Sequence, residues 1–256
     1  MRLDTLLERL EYKVVQGSAE TEVTTLINDS RKVENGSVFV CISGAVSDGH
    51  KYAAEVAEKG AAAVVVEKDV EVPADVTVIK VEDTRYALAL MSAAYFGYPA
   101  EKLKIVGITG TKGKTTTTYM IKSILEETGH KVGLIGTIEA IIGEKKIPAA
   151  NTTPESYTIH QYFAEMVKEG CDCVVMEVSS QGLKLDRTAG IMFDIGVFTN
   201  LEPDHIGPNE HESFEDYLNC KAKLFKQCKV GIVNADDKHT QDILRGAICK
   251  VESYGI

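Results

Sequence analysis

No run of apolar residues in this 256-residue chain approaches the length of a membrane-spanning helix. The N-terminal segment MRLDTLLERLEYK carries charges throughout, which excludes the apolar centre of a secretory signal peptide. Internal repeats and low-complexity tracts are also lacking, so fibrous and disordered architectures are excluded. With 44% hydrophobic residues the chain can bury two cores, and we expect two globular domains without a membrane partner.

Positive charge is also scarce, because 28 Lys and Arg residues stand against 38 Asp and Glu residues and give a formal net charge of -10. This balance argues against nucleic acid as a partner, and a nucleotide site in such a chain must carry its own local cations. The six cysteines lack the spacing of disulfide frameworks and of zinc sites. Reduced packing thiols and a cytoplasmic location are therefore expected.

A strand, a glycine-rich turn and an amphipathic helix follow one another in residues 104–127, an order typical of a nucleotide phosphate site. Gly110 and Gly113 free the backbone to approach an anion, and the start of the helix presents N–H groups to it. Lys114 adds a positive charge, and the hydroxyl of Thr115 is suited to hold Mg²⁺ on the phosphates. The alternative is an ordinary surface turn.

Two α/β domains are predicted, residues 1–98 and residues 103–256, because Pro99 follows a helix and interrupts the pattern. Alternating helices and strands in the second domain indicate a mainly parallel sheet covered on both faces. The predicted strands of the first domain are 23–28, 37–42, 61–67 and 76–81, and its last helix is 84–98. For the second domain we predict strands 131–135, 172–178, 194–199 and 230–233 and helices 155–168 and 213–225.

Polar clusters end three of the predicted strands, and ligands gather at the carboxyl ends of parallel strands. The clusters begin at Glu177, Thr199 and Asn234. A carboxylate such as Glu177 beside a phosphate loop is a candidate Mg²⁺ ligand, and His205 could hold a second ion. The alternatives are a helix-capping or surface carboxylate for Glu177 and a packed or hydrogen-bonded histidine for His205.

The chain resembles the Mur ligases, ATP-dependent amide ligases of peptidoglycan precursor synthesis, and most closely their UDP-N-acetylmuramoyl-tripeptide synthetase branch. The family's shortened loop G-T-x-G-K-T-[TS] occurs at residues 110–116, which explains why Ile108 stands where the common pattern G-x-x-x-x-G-K-[ST] has glycine. Further segments match in order: 151–154, 177–180, 198–201 with 204–205, and 234–237. Residues 29–31 and 48–50 resemble the UDP-binding loops of the family's first domain.

The resemblance implies a role for each matching residue. ATP would be bound by Gly110, Thr111, Lys112, Gly113, Lys114, Thr115 and Thr116. The catalytic set would be Lys114, Glu177, His205 and Lys221, and the metal ligands Thr115, Glu177, His205 and Lys221. The UDP-linked substrate would contact Ser30, His50, Thr152, Thr153, Ser179 and Arg187. In the family a carbamylated lysine lies four residues beyond a tyrosine, so Tyr217 indicates Lys221 rather than Lys223.

The implied fold is a small N-terminal α/β UDP-binding domain followed by a P-loop ATPase domain with a mainly parallel sheet. The implied reaction adds an amino acid, diaminopimelate or lysine, to UDP-N-acetylmuramoyl-L-alanyl-D-glutamate through an acyl phosphate, with ATP and Mg²⁺. A monomer is expected. The sequence departs from the family pattern at Gln181 and at residues 206–208, and these departures affect the assignment of the subtype rather than that of the family.

The family has three domains, and the resemblance covers two, the second of them incomplete. We therefore expect this chain to bind the UDP-linked precursor without forming the amide bond. A non-catalytic precursor-binding fragment and a related folylpolyglutamate or cyanophycin-type ligase remain alternatives. A GTPase-like switch would need the guanine-reading N-K-x-D, which the sequence lacks.

Overall fold

The computed structural model describes residues 1–44, 47–208 and 210–256. The chain forms two compact units, Met1–Gly97 and Tyr98–Ile256. Within the described residues, no helix combines the length and the apolarity that crossing a membrane requires. All six cysteines carry free thiols.

The first unit contains a five-stranded sheet in the order β1-β5-β4-β3-β2, in which β2 to β5 run parallel and β1 pairs antiparallel with β5. Its strands are β1 Lys13–Gln16, β2 Leu26–Ile27, β3 Val38–Val40, β4 Ala63–Val66 and β5 Thr77–Lys80, and its helices are α1 Leu3–Leu7, α2 Ala53–Glu58 and α3 Thr84–Tyr95. The Asp83 carboxylate starts α3 by accepting from the N–H groups of Arg85 and Tyr86.

The second unit contains an eight-stranded sheet in the order β13-β12-β11-β6-β10-β7-β8-β9. Its strands are β6 Lys104–Thr109, β7 Val132–Ile135, β8 Glu139–Ile142, β9 Lys145–Pro148, β10 Cys173–Glu177, β11 Phe193–Phe198, β12 Cys228–Asn234 and β13 Lys250–Tyr254. Its helices are α4 Lys114–Glu127, α5 Ser156–Lys168, α6 Ser180–Lys184, α7 Phe214–Ala222 and α8 Thr240–Ile243. The sheet is parallel from β13 to β7, and β8 and β9 add an antiparallel hairpin.

Apolar side chains on both faces of the central strands are buried, which explains the continuous hydrophobic runs in these strands. Along β10, Val174 and Met176 belong to the core that also contains Phe163 of α5. Cys173 and Val175 point to the opposite face and pack with α4 residues. The predicted α/β class with a mainly parallel sheet is confirmed.

Several predicted elements differ from the structure. The strand predicted at 23–28 is only Leu26–Ile27, and the helix predicted at 84–98 ends at Tyr95, because Gly97 and Tyr98 have left-handed φ angles of 70° and 53°. The helix predicted at 213–225 changes after Ala222 into a 3-10 turn. The sequence analysis missed β1, the β8–β9 hairpin, α6, α8 and β13.

Candidate functional site

The glycine-rich loop connects β6, in the centre of the sheet, to the N-terminus of α4. Gly110 and Gly113 have φ angles of 149° and 83°, which side chains other than hydrogen rarely allow. A Cβ atom on Gly110 would also lie 2.0 Å from the Thr199 hydroxyl oxygen. The glycines are therefore required both by the backbone conformation and by the close approach of the segment after β11.

Lys114 is the first residue of α4, and its side chain folds back over the loop. Its Nζ donates to the carbonyl oxygens of Gly110 (2.8 Å) and Thr111 (3.0 Å). Burial lowers the pKa of Lys114, although the nearby Glu177 carboxylate opposes this shift. The loop thus holds a cation beside the first turn of α4, where the N–H groups have no intrahelical partners.

Glu177 ends β10 and is fully buried, so it is neither a surface carboxylate nor the cap of α6, whose cap is Ser179. One carboxylate oxygen accepts from the N–H of Thr137 at 2.9 Å. The other accepts from the hydroxyls of Thr115 (3.1 Å) and Thr137 (2.9 Å). These donors are neutral, and a buried carboxylate whose described hydrogen-bond partners carry no charge is a favourable place for a metal ion.

A cavity of about 300 Å³ opens at this point. It is lined by Thr111, Gly113, Lys114, Thr115, Thr116, Thr137, Thr152 and Glu177. The side-chain donors in this set are oxygens, apart from the Lys114 ammonium, and oxygen donors suit a hard cation such as Mg²⁺. The residues therefore fit Mg²⁺, and Thr115 and Glu177 are the two predicted ligands that line the cavity.

Thr137 was missed by the sequence analysis, although a signal was available. It follows the carboxyl end of β7, the neighbour of β10, so the rule that selected Glu177 also applies to it.

His205 lies on the loop before α7 with a φ angle of 54° and with half of its side chain exposed. Its Nδ1 is 3.2 Å from a carboxylate oxygen of Glu210. The cavity lining in the described part of the chain does not include His205. The role of His205 as the second metal ligand stays a prediction.

Lys221 lies on α7 and is 1% exposed. Its Nζ donates to the carbonyl oxygen of Gly110 at 2.9 Å and lies 4.5 Å from the centre of the Tyr217 ring. Burial lowers the pKa of Lys221 well below its ordinary value, and the charge of Lys114 lowers it further. Lys223 differs, since its ammonium is partly exposed and pairs with Asp186 at 3.3 Å.

Four predicted substrate residues of the second unit lie in one patch beside Glu177. The Thr152 hydroxyl is 3.0 Å from that of Thr137. The Thr153 hydroxyl donates to the carbonyl oxygen of Glu177 at 3.0 Å and accepts from the N–H of Ser179 at 2.9 Å. Arg187 donates to the carbonyl oxygen of Thr153 at 2.8 Å and pairs with Glu155 at 2.6 Å.

The two predicted substrate residues of the first unit have different surroundings. Ser30 begins a 3-10 turn and is partly exposed. Both ring nitrogens of His50 are engaged within the unit: Nδ1 is 2.7 Å from Asp48, and Nε2 accepts from the N–H of Glu67 at 3.0 Å. His50 therefore joins the loop before it to the end of β4, and a hydrogen bond from either ring nitrogen to a ligand would replace one of these bonds.

A separate group of possible metal ligands lies on α7 and the loop before it. His211, Asp216 and Cys220 bring one donor atom each within 4.8 Å of one another. The Lys184 ammonium already lies 2.8 Å from Asp216 and neutralises it. Asp216, the one carboxylate of the group, is therefore already paired with a lysine.

Comparisons with known proteins agree with this geometry. The family pattern described as "Mur ligase middle domain" matches residues 108–256, and "Mur ligase family, catalytic domain" matches residues 22–96. The UDP-N-acetylmuramoyl-L-alanyl-D-glutamate--2,6-diaminopimelate ligase of Clostridium perfringens is 49% identical over 100% of this chain and 54% of its own length. The chain thus spans about half the length of the curated relatives that it matches.

Solved structures give the same result. A structure of a UDP-N-acetylmuramoyl-L-alanyl-D-glutamate--2,6-diaminopimelate ligase superposes with a TM-score of 0.83 at 25% identity, covering 100% of this chain and 52% of that one. MurF ligase from Thermotoga maritima in complex with ADP shares the fold, with a TM-score of 0.59 at 20% identity over 92% of this chain and 51% of that one. The chain therefore belongs to the Mur ligase family.

Proposed function

We propose that this chain forms the precursor-binding and ATP-binding parts of an ATP-dependent ligase that joins an amino acid to UDP-N-acetylmuramoyl-L-alanyl-D-glutamate. The observation that carries the proposal is the buried Glu177 carboxylate, which faces the same cavity as Lys114 and Thr115. A carboxylate, a lysine and a threonine hydroxyl around a helix N-terminus are the groups that hold a metal-bound nucleotide triphosphate.

The first chemical step would be attack of the precursor's terminal carboxylate on the γ-phosphate of ATP, which gives an acyl phosphate and ADP. Both reactants are anions, so the barrier depends on neutralising and orienting them. Lys114 would exchange its bonds to the loop carbonyls for phosphate oxygens, and the first N–H groups of α4 would face the same anion. Thr115 and Glu177 would hold Mg²⁺, with His205 as a further predicted ligand, and the ion would neutralise more of the charge on the phosphates.

Residues 1–98 would form the UDP-binding domain and residues 103–256 the ATP-binding domain. Arg187 supports a precursor site beside the metal site, because its guanidinium is largely buried and carries a cation to the patch next to Glu177. Thr152, Thr153 and Ser179 complete this patch. In the first unit Ser30 and His50 would contact the UDP group, and His50 also holds its loop in place through its bonds to Asp48 and Glu67.

Lys221 is proposed to carry a carbamate, formed when its neutral amine attacks carbon dioxide and releases a proton. Burial and the neighbouring Lys114 charge favour the neutral amine that this reaction needs. A carbamate nitrogen keeps one hydrogen, so the bond to the carbonyl oxygen of Gly110 can survive the modification. The new carboxylate would join Thr115, Glu177 and His205 as a metal ligand.

Diaminopimelate is the proposed amino acid, because the relatives with 41–49% identity are named for it; lysine is the alternative. The reaction would take place in the cytoplasm, which agrees with six free cysteines. The monomeric state remains a prediction from the family resemblance.

Calorimetry on this chain tests the proposal directly. We expect binding of ADP with Mg²⁺ and, separately, binding of the UDP-linked dipeptide. Lys114→Ala should weaken ADP binding and leave dipeptide binding intact, because Lys114 lies on the phosphate loop. A folded sample that binds neither ligand overturns the proposal.

A further inference from the structure

The phosphate loop is attached by hydrogen bonds to residues 199–202, the segment that follows β11. The N–H of Thr111 donates to the carbonyl oxygen of Asn200 at 2.9 Å. The side chain of Asn200 binds the next residue of the loop twice: its Oδ1 accepts from the N–H of Lys112 at 2.9 Å, and its Nδ2 donates to the carbonyl oxygen of Lys112 at 3.0 Å.

Two further hydroxyl groups strengthen this attachment. Thr199 donates to the same carbonyl oxygen of Lys112 at 2.8 Å. The Thr111 hydroxyl accepts from the N–H of Glu202 at 2.9 Å and lies 3.0 Å from the Tyr217 hydroxyl. Thr111 and Lys112, the two loop residues between the glycines, are thus both held by hydrogen bonds to residues outside the loop.

The direction of these bonds determines which N–H groups can face an anion. Those of Thr111 and Lys112 point to Asn200 and are not available to a phosphate. The N–H groups from Gly113 onward, at the start of α4, remain for that purpose. The loop therefore has to keep one conformation for the helix terminus to meet the phosphates.

Asn200 is chemically matched to this task. A carboxamide offers a donor and an acceptor in one plane, and here they meet the C=O and N–H of a single residue. A carboxylate at this position would keep the acceptor but would place its second oxygen against the carbonyl oxygen of Lys112. A methyl group would make neither bond.

We propose that Asn200 is a positioning residue for nucleotide binding, whose carboxamide holds the phosphate loop in the conformation that receives the phosphates. It acts through Lys112 and does not itself bind the nucleotide. The inference rests on the proposed nucleotide site and adds a residue that none of the predicted roles includes.

The test uses Asn200→Ala and Asn200→Asp, with Asn219→Ala as the matched control because Asn219 is an exposed carboxamide on α7. Calorimetry would measure binding of ADP with Mg²⁺ and of the UDP-linked dipeptide to each variant. Hydrogen exchange would measure protection of the Lys112 amide. We expect Asn200→Ala to weaken ADP binding about tenfold, as the loss of two hydrogen bonds implies. Asn200→Asp should weaken it at least as much.

Dipeptide binding separates positioning from general damage, since a destabilised unit would lose both ligands. We expect dipeptide binding to stay unchanged in both Asn200 variants, the Lys112 amide to exchange faster in Asn200→Ala, and Asn219→Ala to match wild type throughout. Unchanged ADP affinity in Asn200→Ala, or an equal loss of both ligands, overturns this inference alone. A wild-type chain that binds no ADP overturns the proposed nucleotide site and this inference with it.

Discussion

His160 is a buried base in the second unit. It lies on α5, is 1% exposed, and packs edge-to-face against Phe163 with ring centroids 6.1 Å apart. Neither ring nitrogen has a hydrogen-bond partner among the residues that the structure describes. Burial lowers the pKa of His160 from 6.5 to about 4. The folded protein therefore holds this imidazole neutral at pH values where the unfolded chain protonates it.

This difference makes stability depend on pH in a definite direction. The unfolded state binds the extra proton below pH 6.5, so the free energy of unfolding falls as the pH falls and levels off below about pH 4. One pKa unit corresponds to about 1.4 kcal/mol. The shift to about 4 thus implies a loss of about 2 kcal/mol between pH 8 and pH 5, and about 3 kcal/mol near pH 4.

His160→Leu removes the titrating group and the two unpartnered nitrogens while it keeps a side chain of similar volume. We expect the variant to be at least as stable as wild type at pH 8, and its advantage to grow by about 2 kcal/mol at pH 5. Urea unfolding followed by circular dichroism at pH 8, 7, 6 and 5 would measure this difference. His130→Gln is the control, because it removes a half-exposed histidine and leaves His160 in place.

Two results would refute the reasoning. One is a constant difference between His160→Leu and wild type from pH 8 to pH 5. The other is an NMR titration in which the imidazole resonance absent from His160→Leu titrates near 6.5 in wild type instead of near 4.

Three further predictions concern the site. Glu177→Gln keeps the size of the side chain but removes its charge, so Mg²⁺ should no longer strengthen ADP binding in calorimetry; undiminished Mg²⁺ dependence would contradict the proposed ligand. Lys221→Met replaces a buried amine by an apolar chain, so the urea midpoint of unfolding should stay equal or rise. The same substitution in a Mur ligase with measurable ligase activity should abolish that activity, and retained activity would exclude the carbamate. Arg187→Ala should weaken binding of the UDP-linked dipeptide at least about tenfold and leave ADP binding unchanged, and a loss of ADP binding alone would assign Arg187 to the other ligand.

The sequence by itself determined the features that depend on near neighbours. Strand, glycines, lysine, threonine and helix follow each other between residues 104 and 127, so the phosphate loop could be predicted from local pattern alone. The carboxyl end of β10 indicated Glu177 in the same way. The choice of Lys221 over Lys223 came from the family resemblance, in which the modified lysine lies four residues beyond a tyrosine, here Tyr217. The structure buries Lys221 and leaves Lys223 partly exposed.

Only the tertiary structure decided which distant groups meet. Asn200 and Lys112 are 88 residues apart, and they bond because β11 lies next to β6 in the sheet, an order that local patterns do not specify. For the same reason the sequence could not reveal that His50 bonds to Glu67, or that His160 is buried with no hydrogen-bond partner in the described part of the chain. Local conformation depends on residues a few positions away, whereas burial and hydrogen-bond partners depend on how strands and helices are arranged around one core.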